Sequence, residues 1–205
     1  MKRKKGRHTG SESRRRDIIN AALACFSEIG FSETGMEDIR SRSGASTGSI
    51  YHHFKGKEQL AAEVYIEGIG NYQQALIRVL EGCEGAREGI SALITHHLTW
   101  IVENAAWSRY LFQKRHSVFM VSAEEKIAAM NREFGQKISQ FFSRHIAEGT
   151  LRPLPPDIII SLTFGPCLEI TRRHFSGHAG TDFHEAAETL SEAVWRALAA
   201  PGAGG

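Results

Sequence analysis

The sequence predicts an all-α fold of about nine helices. Three observations carry this expectation. Apolar residues recur at spacings of three and four between residues 11 and 199. The breaks between those runs hold glycine, proline or helix-capping side chains. No segment shows the period-two alternation of a half-buried strand, and no internal repeat is present. A chain of 205 residues can bury a full core in one or two domains, and 41% hydrophobic with 23% charged residues is ordinary for a globular protein.

Residues 1–10 are polar, basic and glycine-containing, and read as a flexible basic arm. A helix is expected from about Ser11, with a stripe of Ile18, Ile19, Ala22, Leu23, Phe26 and Ile29 that Gly30 ends. Thr34, Gly35, Met36 and Glu37 read as a capping box in which Thr34 caps and Glu37 bonds back. The short helix that follows packs through Met36 and Ile39 and breaks at Gly44. Ser46 then caps a second short helix over 46–53, on which Ile50 and Phe54 share one face. The opposite face shows Thr47, Gly48, Ser49, Tyr51 and His52, all small or hydrogen-bonding. That is the chemistry of a helix lying in a DNA major groove, with Gly48 permitting close approach. Helix, helix, glycine turn, helix is a helix-turn-helix on a supporting first helix.

A long helix spans 57–81, interrupted in composition by Gly68 and Gly70, which mark a bend, a close helix contact or a packing accommodation. Further helices are expected over 86–103, over 105–120 with Asn104 as its cap, and from a Ser122 cap to Gly149. After the stiff Arg152–Pro156 connector, two more run over 157–176 and 182–199. The first of these is apolar nearly all round and the second carries small alanines, so the pair suits packing against copies in a second subunit. Residues 201–205 form a glycine-rich flexible tail. The domain expectation is therefore an arm at 1–10, a helix-turn-helix domain at 11–56, a larger helical domain at 57–200 and the tail.

The net charge of +2 hides an asymmetry, because residues 1–60 hold 12 Lys/Arg against 7 Asp/Glu. Basic density beside a groove-shaped helix is the footprint of phosphate binding, though a solubilising arm has the same composition. Cys25, Cys83 and Cys167 are odd in number and lack a CxxC pair, which argues against a disulfide framework or a zinc finger. No apolar run reaches the ~18 residues that span a membrane, and the basic N-terminus lacks the apolar segment of a secretory signal. A cytoplasmic location with no membrane partner is expected.

Residues 14–60 resemble the DNA-binding domain of the TetR (tetracycline-repressor) family of transcriptional regulators. The likeness rests on Ala21 and Ala22 through Phe26, Gly30, Phe31, Ile39, Gly44, Ser46, Gly48, the run Ile50 to Phe54, Lys57, Glu58 and Leu60. The resemblance implies a homodimer that reads a near-palindromic double-stranded operator, joined through the helices 157–176 and 182–199. It implies a phosphate contact for Thr34 at the start of the second helix, base contacts for Thr47 and Ser49 beside Gly48, and backbone contacts for Tyr51, His52 and Lys57, with Ser46 capping the helix between them. Three departures leave the operator open: Gly35 stands where many members have threonine, Arg40 where a small residue is common, and Ala45 where valine is common.

By the same resemblance, residues 57–200 form an effector-binding and dimerisation domain, and a small molecule releases the protein, a repressor, from its operator. Candidate pocket residues are His97, Trp100, Trp107, Tyr110, Phe112, His116, Asn131, Phe134, Phe164 and Glu169, which offer apolar walls with a few polar groups. A lipophilic or aromatic effector fits that lining; the same spacing also describes ordinary core. No cofactor, metal site or catalytic constellation is expected: His96 and His97 face different ways, Gly177 separates His174 from His178, and Cys167 reads as a buried thiol more readily than as a redox sensor. The alternative is an all-α enzyme or ligand-binding protein that its basic head tethers to nucleic acid.

Overall fold

A computed structural model describes residues 5–114, 121, 123–178 and 180–202. The described residues form nine helices and no strand: α1 (Lys5–Glu28), α2 (Met36–Ser43), α3 (Thr47–His53), α4 (Lys57–Glu81), α5 (Ala86–Glu103), α6 (Ala105–Lys114), α7 (Glu124–Ala147), α8 (Pro156–Phe175) and α9 (Phe183–Leu198). They divide into two compact units. One contains Met1–Ile69 and Ala106–Ala128, the other Gly70–Ala105 and Ala129–Gly205.

The first unit is built on the apolar stripe of α1. Ile18, Ile19, Ala22 and Phe26 pack with Ile39 of α2, Ile50 of α3, Phe54 and the first turns of α4, among them Leu60 and Val64. Tyr110 of α6 joins this core: its ring stacks on Phe26 at 5.9 Å and its hydroxyl donates to the Ala61 carbonyl at 2.9 Å. Trp107 belongs there as well, since a Cβ on Gly68 would lie 2.5 Å from its Cε3. Gly68 therefore marks a close helix contact. Across the surface of the unit, Arg15 pairs with Glu63 at 2.6 Å and Glu67 at 3.3 Å, and Lys126 approaches Glu63 at 3.4 Å.

The second unit is centred on α5, which packs most extensively against α9 and then α8. Leu93, Ile94 and Leu98 of α5 meet Phe141 and Phe142 of α7, Cys167 of α8, and Val194, Trp195 and Leu198 of α9. A single antiparallel bridge joins Leu151 to Ala199, and the Arg152 guanidinium donates to the carbonyls of Arg196 and Ala199 at 3.1 Å. These contacts tie the α7–α8 connector to the end of α9.

Several expectations are corrected. The first helix begins at Lys5 instead of about Ser11, so residues 5–10 are not an irregular arm; residues 1–4 lie outside the described residues. A helix already nucleated at its buried stripe extends one residue at a time at little cost, which composition alone does not register. Thr34 and Glu37 form no capping box. Gly35 is the N-cap of α2 and donates its own N–H to Asp38 at 2.7 Å, while Glu37 pairs with Arg40. Asn104 closes α5 instead of opening α6, its side chain donating to the Trp100 carbonyl at 3.1 Å. The Ser122 cap and residues 115–120 of the expected 105–120 helix lie outside the described residues. In the two compact units, α4 contributes to both and α6 packs with the first.

Candidate functional site

The exposed polar face of α3 forms because the helix is short and anchored on one side only. Ser46 accepts a hydrogen bond from the Ser49 N–H at 3.2 Å, so an orphan donor of the first turn is satisfied by the expected cap. Gly44 closes α2 at φ 61°, a left-handed conformation that a side chain disfavours, and so turns the chain between α2 and α3. Ile50 and Phe54 are 2% and 1% exposed, and burying each contributes about 2 kcal/mol. With those two inside, Thr47, Gly48, Tyr51 and His52 lie exposed together, and Ser49 is half-buried at their edge. A Cβ on Gly48 would meet nothing within 4 Å, so the protein's own packing does not require a glycine there. The small residue leaves room for something outside the chain. His53, beside this face, has its pKa held below the ordinary histidine value by burial, then by His52 and Arg15.

Two residues expected on this surface are occupied elsewhere. Thr34 is 1% exposed; its hydroxyl donates to the Gly30 carbonyl at 2.6 Å and its N–H to the same carbonyl at 3.2 Å. Its side chain is thus not offered to a phosphate. The Lys57 ammonium donates to the carbonyls of Phe31 at 2.9 Å, Ser32 at 3.1 Å and Thr34 at 2.8 Å, and it lies 4.8 Å from the centre of the Phe31 ring. Arg42 is bound to Glu28 at 2.6 and 2.7 Å, and Arg40 to Glu37, so neither guanidinium extends unpaired from α2.

The expected pocket residues do not come together as one set. Trp107 and Tyr110 are core of the first unit, because α6 packs there; the i, i+3 pattern shows that a helix face is buried, not against what. Phe112 of the same unit is 44% exposed, and His116 lies outside the described residues. Glu169 is an exposed ion-pair partner of Arg172 at 2.6 Å. Asn131 accepts from Gln73 Nε2 at 2.7 Å.

His97, Trp100 and Phe164 do meet, inside the second unit. His97 is 3% exposed; its Nδ1 lies 2.5 Å from the Tyr72 hydroxyl and its Nε2 3.5 Å from Thr171 Oγ1. The Tyr72 ring meets Trp100 edge-on at 5.1 Å, and the His97 ring meets Phe164 at 6.1 Å. Burial, assisted by His96, pushes the His97 pKa down to about 4, so the ring is neutral and can both donate and accept. Burial also raises the Tyr72 pKa and pushes the Cys167 thiol up to about 12. Cys167 is therefore a protonated buried thiol, not a poised nucleophile. Phe134 packs at the margin of this core. Tyr72 and Thr171 were absent from the expected set, since no sequence signal brings residues of α4 and α8 to His97.

A separate open groove of about 390 Å³ lies between the C-terminal part of α4 and α7, lined by Ile77, Leu80, Glu81, Cys83, Lys137, Gln140, Phe141 and Arg144. Among the described residues no group of three or more His, Cys, Asp and Glu could hold a metal ion. No helix among them is long and apolar enough to cross a membrane.

The two parts of the chain match known proteins separately and together. Residues 18–64 match the bacterial regulatory proteins of the tetR family, and residues 65–200 match the tetracyclin repressor-like C-terminal domain. Over 169 residues, covering 80% of each protein, the chain is 28% identical to the HTH-type transcriptional regulator UidR of Escherichia coli (strain K12). Over 164 residues it is 26% identical to the HTH-type transcriptional repressor KstR2 of Rhodococcus jostii (strain RHA1), covering 76% of this chain and 75% of that one. A TetR family transcription regulator from Marinobacter aquaeolei VT8 superposes with a TM-score of 0.75 at 22% identity, over 94% of this chain and 99% of that chain. That last likeness speaks to the fold.

Proposed function

The chain belongs to the tetR family of bacterial regulatory proteins, and from that premise we propose that α3 is the reading helix of a homodimeric repressor. The chain is a DNA-binding transcriptional regulator, of a family whose members bind DNA and dimerise. One observation carries the assignment of the reading surface. The face of α3 opposite the buried Ile50 and Phe54 is polar and exposed, and its glycine has open space in front of it. Thr47 and Ser49 supply hydroxyls that suit base edges, while Tyr51 and His52 suit the sugar–phosphate backbone.

Dimerisation is assigned to α8 and α9. Ile158 and Leu168 stand 43% and 49% exposed on α8, and a Cβ on Gly165 between them would meet nothing within 4 Å. An apolar stripe with a small residue at its middle suits the close approach of a second helix. Effector recognition is assigned to the second unit. Trp100, Phe134 and Phe164 supply apolar walls and His97, with Tyr72, supplies the polar handle for a lipophilic ligand. Such a ligand acts by binding the DNA-incompetent state more tightly than the competent one, since equal affinity shifts nothing.

Selection of bound duplexes from a random pool, repeated with lipophilic ligands present, tests this reading. A near-palindromic consensus that is released by a ligand is expected. Binding without sequence preference at physiological salt would overturn it in favour of a protein merely tethered to nucleic acid.

A further inference from the structure

We infer that Lys57 is an internal clasp that closes the helix-turn-helix into a ring and so positions α3; this role rests on the DNA reading proposed for α3. An ammonium group has three N–H donors and no acceptor. All three find backbone carbonyls, those of Phe31, Ser32 and Thr34, at 2.9, 3.1 and 2.8 Å. These carbonyls belong to the loop between α1 and α2. The Phe31 ring, 4.8 Å from the same nitrogen, adds a cation–π contact and packs on Phe26 of α1 at 5.4 Å.

The place of Lys57 in the chain makes the contact consequential. It is the first residue of α4, where the positive end of the helix dipole disfavours a cation, so its setting depends on the carbonyls it reaches. The loop it grasps leads into α2, and Lys57 follows α3 after residues 54–56 alone. One side chain therefore joins the entrance of the α2–α3 pair to its exit, across 23 to 26 residues. Phe54 anchors the exit in the core and Phe31 anchors the entrance, so the clasp fixes how far α3 stands from α1. Gripping a phosphate would require Lys57 to abandon these carbonyls.

A clasp and a phosphate contact make different predictions for Lys57→Met and Lys57→Arg. Arginine keeps the charge, but its planar fork cannot direct three donors at three carbonyls that converge on one point. The full-length variants, checked for folding by circular dichroism, are titrated with the selected duplex over a salt series. Amide signals of residues 31–36 are compared in the DNA-free proteins. If the clasp holds, both variants lose about tenfold in affinity, as expected when about a tenth of the molecules hold α3 in place. The slope of log K against log salt stays that of the wild type, and the 31–36 signals move in both variants while the rest of the spectrum stays. A merely stabilising role would move neither the affinity of the folded protein nor those signals selectively. If arginine restores wild-type binding, and methionine lowers the slope by about 0.9, the loss of one phosphate contact, the inference is overturned. If methionine prevents folding, the arginine variant alone decides by the same criteria. Should the wild type select no duplex, the DNA reading fails, and unmoved 31–36 signals would still refute the clasp independently.

Discussion

Two adjacent histidine pairs, His52–His53 on α3 and His96–His97 on α5, meet opposite surroundings in the two units. His52 is exposed on the polar face of a short helix, and its neighbour His53 is partly withdrawn. His97 is enclosed by Tyr72, Trp100, Phe164 and Thr171, with its pKa pushed down to about 4. His96 is half-buried, its Nε2 without a hydrogen-bond partner among the described residues, and burial lowers its pKa too. The same dipeptide thus lies on an outward polar face in one place and within an internal polar framework in the other. Helix geometry sends the two members of each pair to different faces; the neighbours decide what each face becomes.

The contrast breaks most sharply on acid. The folded-state pKa of His97 lies below its ordinary value of 6.5, at about 4, so between these values the unfolded chain binds the extra proton. Stability from this group is complete above about pH 6.5 and is lost as pH falls toward 4, by about 3 kcal/mol in total at 1.36 kcal/mol per pKa unit. His97→Gln keeps an acceptor for Tyr72 but cannot titrate. Denaturant unfolding of the two proteins should show the wild type losing its advantage across that window; parallel pH profiles would mean that His97 is not held neutral inside.

Glycines sharpen the same comparison. A Cβ on Gly89 of α5 would fall 2.2 Å from Phe141 Cζ, so Gly89→Ala should cost about 2 kcal/mol of stability through overpacking. Thr47→Ala, at the proposed reading surface, should leave the unfolding midpoint unchanged but weaken operator binding by about 1–3 kcal/mol and relax base preference. Gly48→Ala should behave oppositely to Gly89→Ala in a melt, gaining up to about 1 kcal/mol from helix propensity, while lowering operator affinity by obstructing close approach. A melt in which Gly48→Ala and Gly89→Ala shift alike would erase the distinction between an outward and an inward glycine.

The exposed polar face of α3 is largely legible in the sequence, because its determinants are local. The Ser46 cap, the Gly44 turn and the four-residue spacing of Ile50 and Phe54 lie within eleven positions, and together they dictate which face of α3 remains outside. The pocket is not. Trp107 and Tyr110 share the aromatic character and helical spacing of Trp100 and Phe164, yet they fill the first core, and composition carries no label saying which core an aromatic enters. Glu169 pairs with Arg172 three positions along its own helix, a local spacing, whereas the partner of Asn131, Gln73, emerges only once the helices are placed.

What the amino-acid sequence determined by itself is the run of helices and the identity of the helix-turn-helix, since periodicity, caps and glycine turns act over a few residues. What the tertiary structure alone decided is the employment of single polar groups. Thr34 turned inward, Lys57 engaged carbonyls up to 26 positions earlier, and His97 found Thr171 across 74 positions. The physical reason is that a polar side chain must find a partner wherever burial takes it, and burial is a property of the assembled helices.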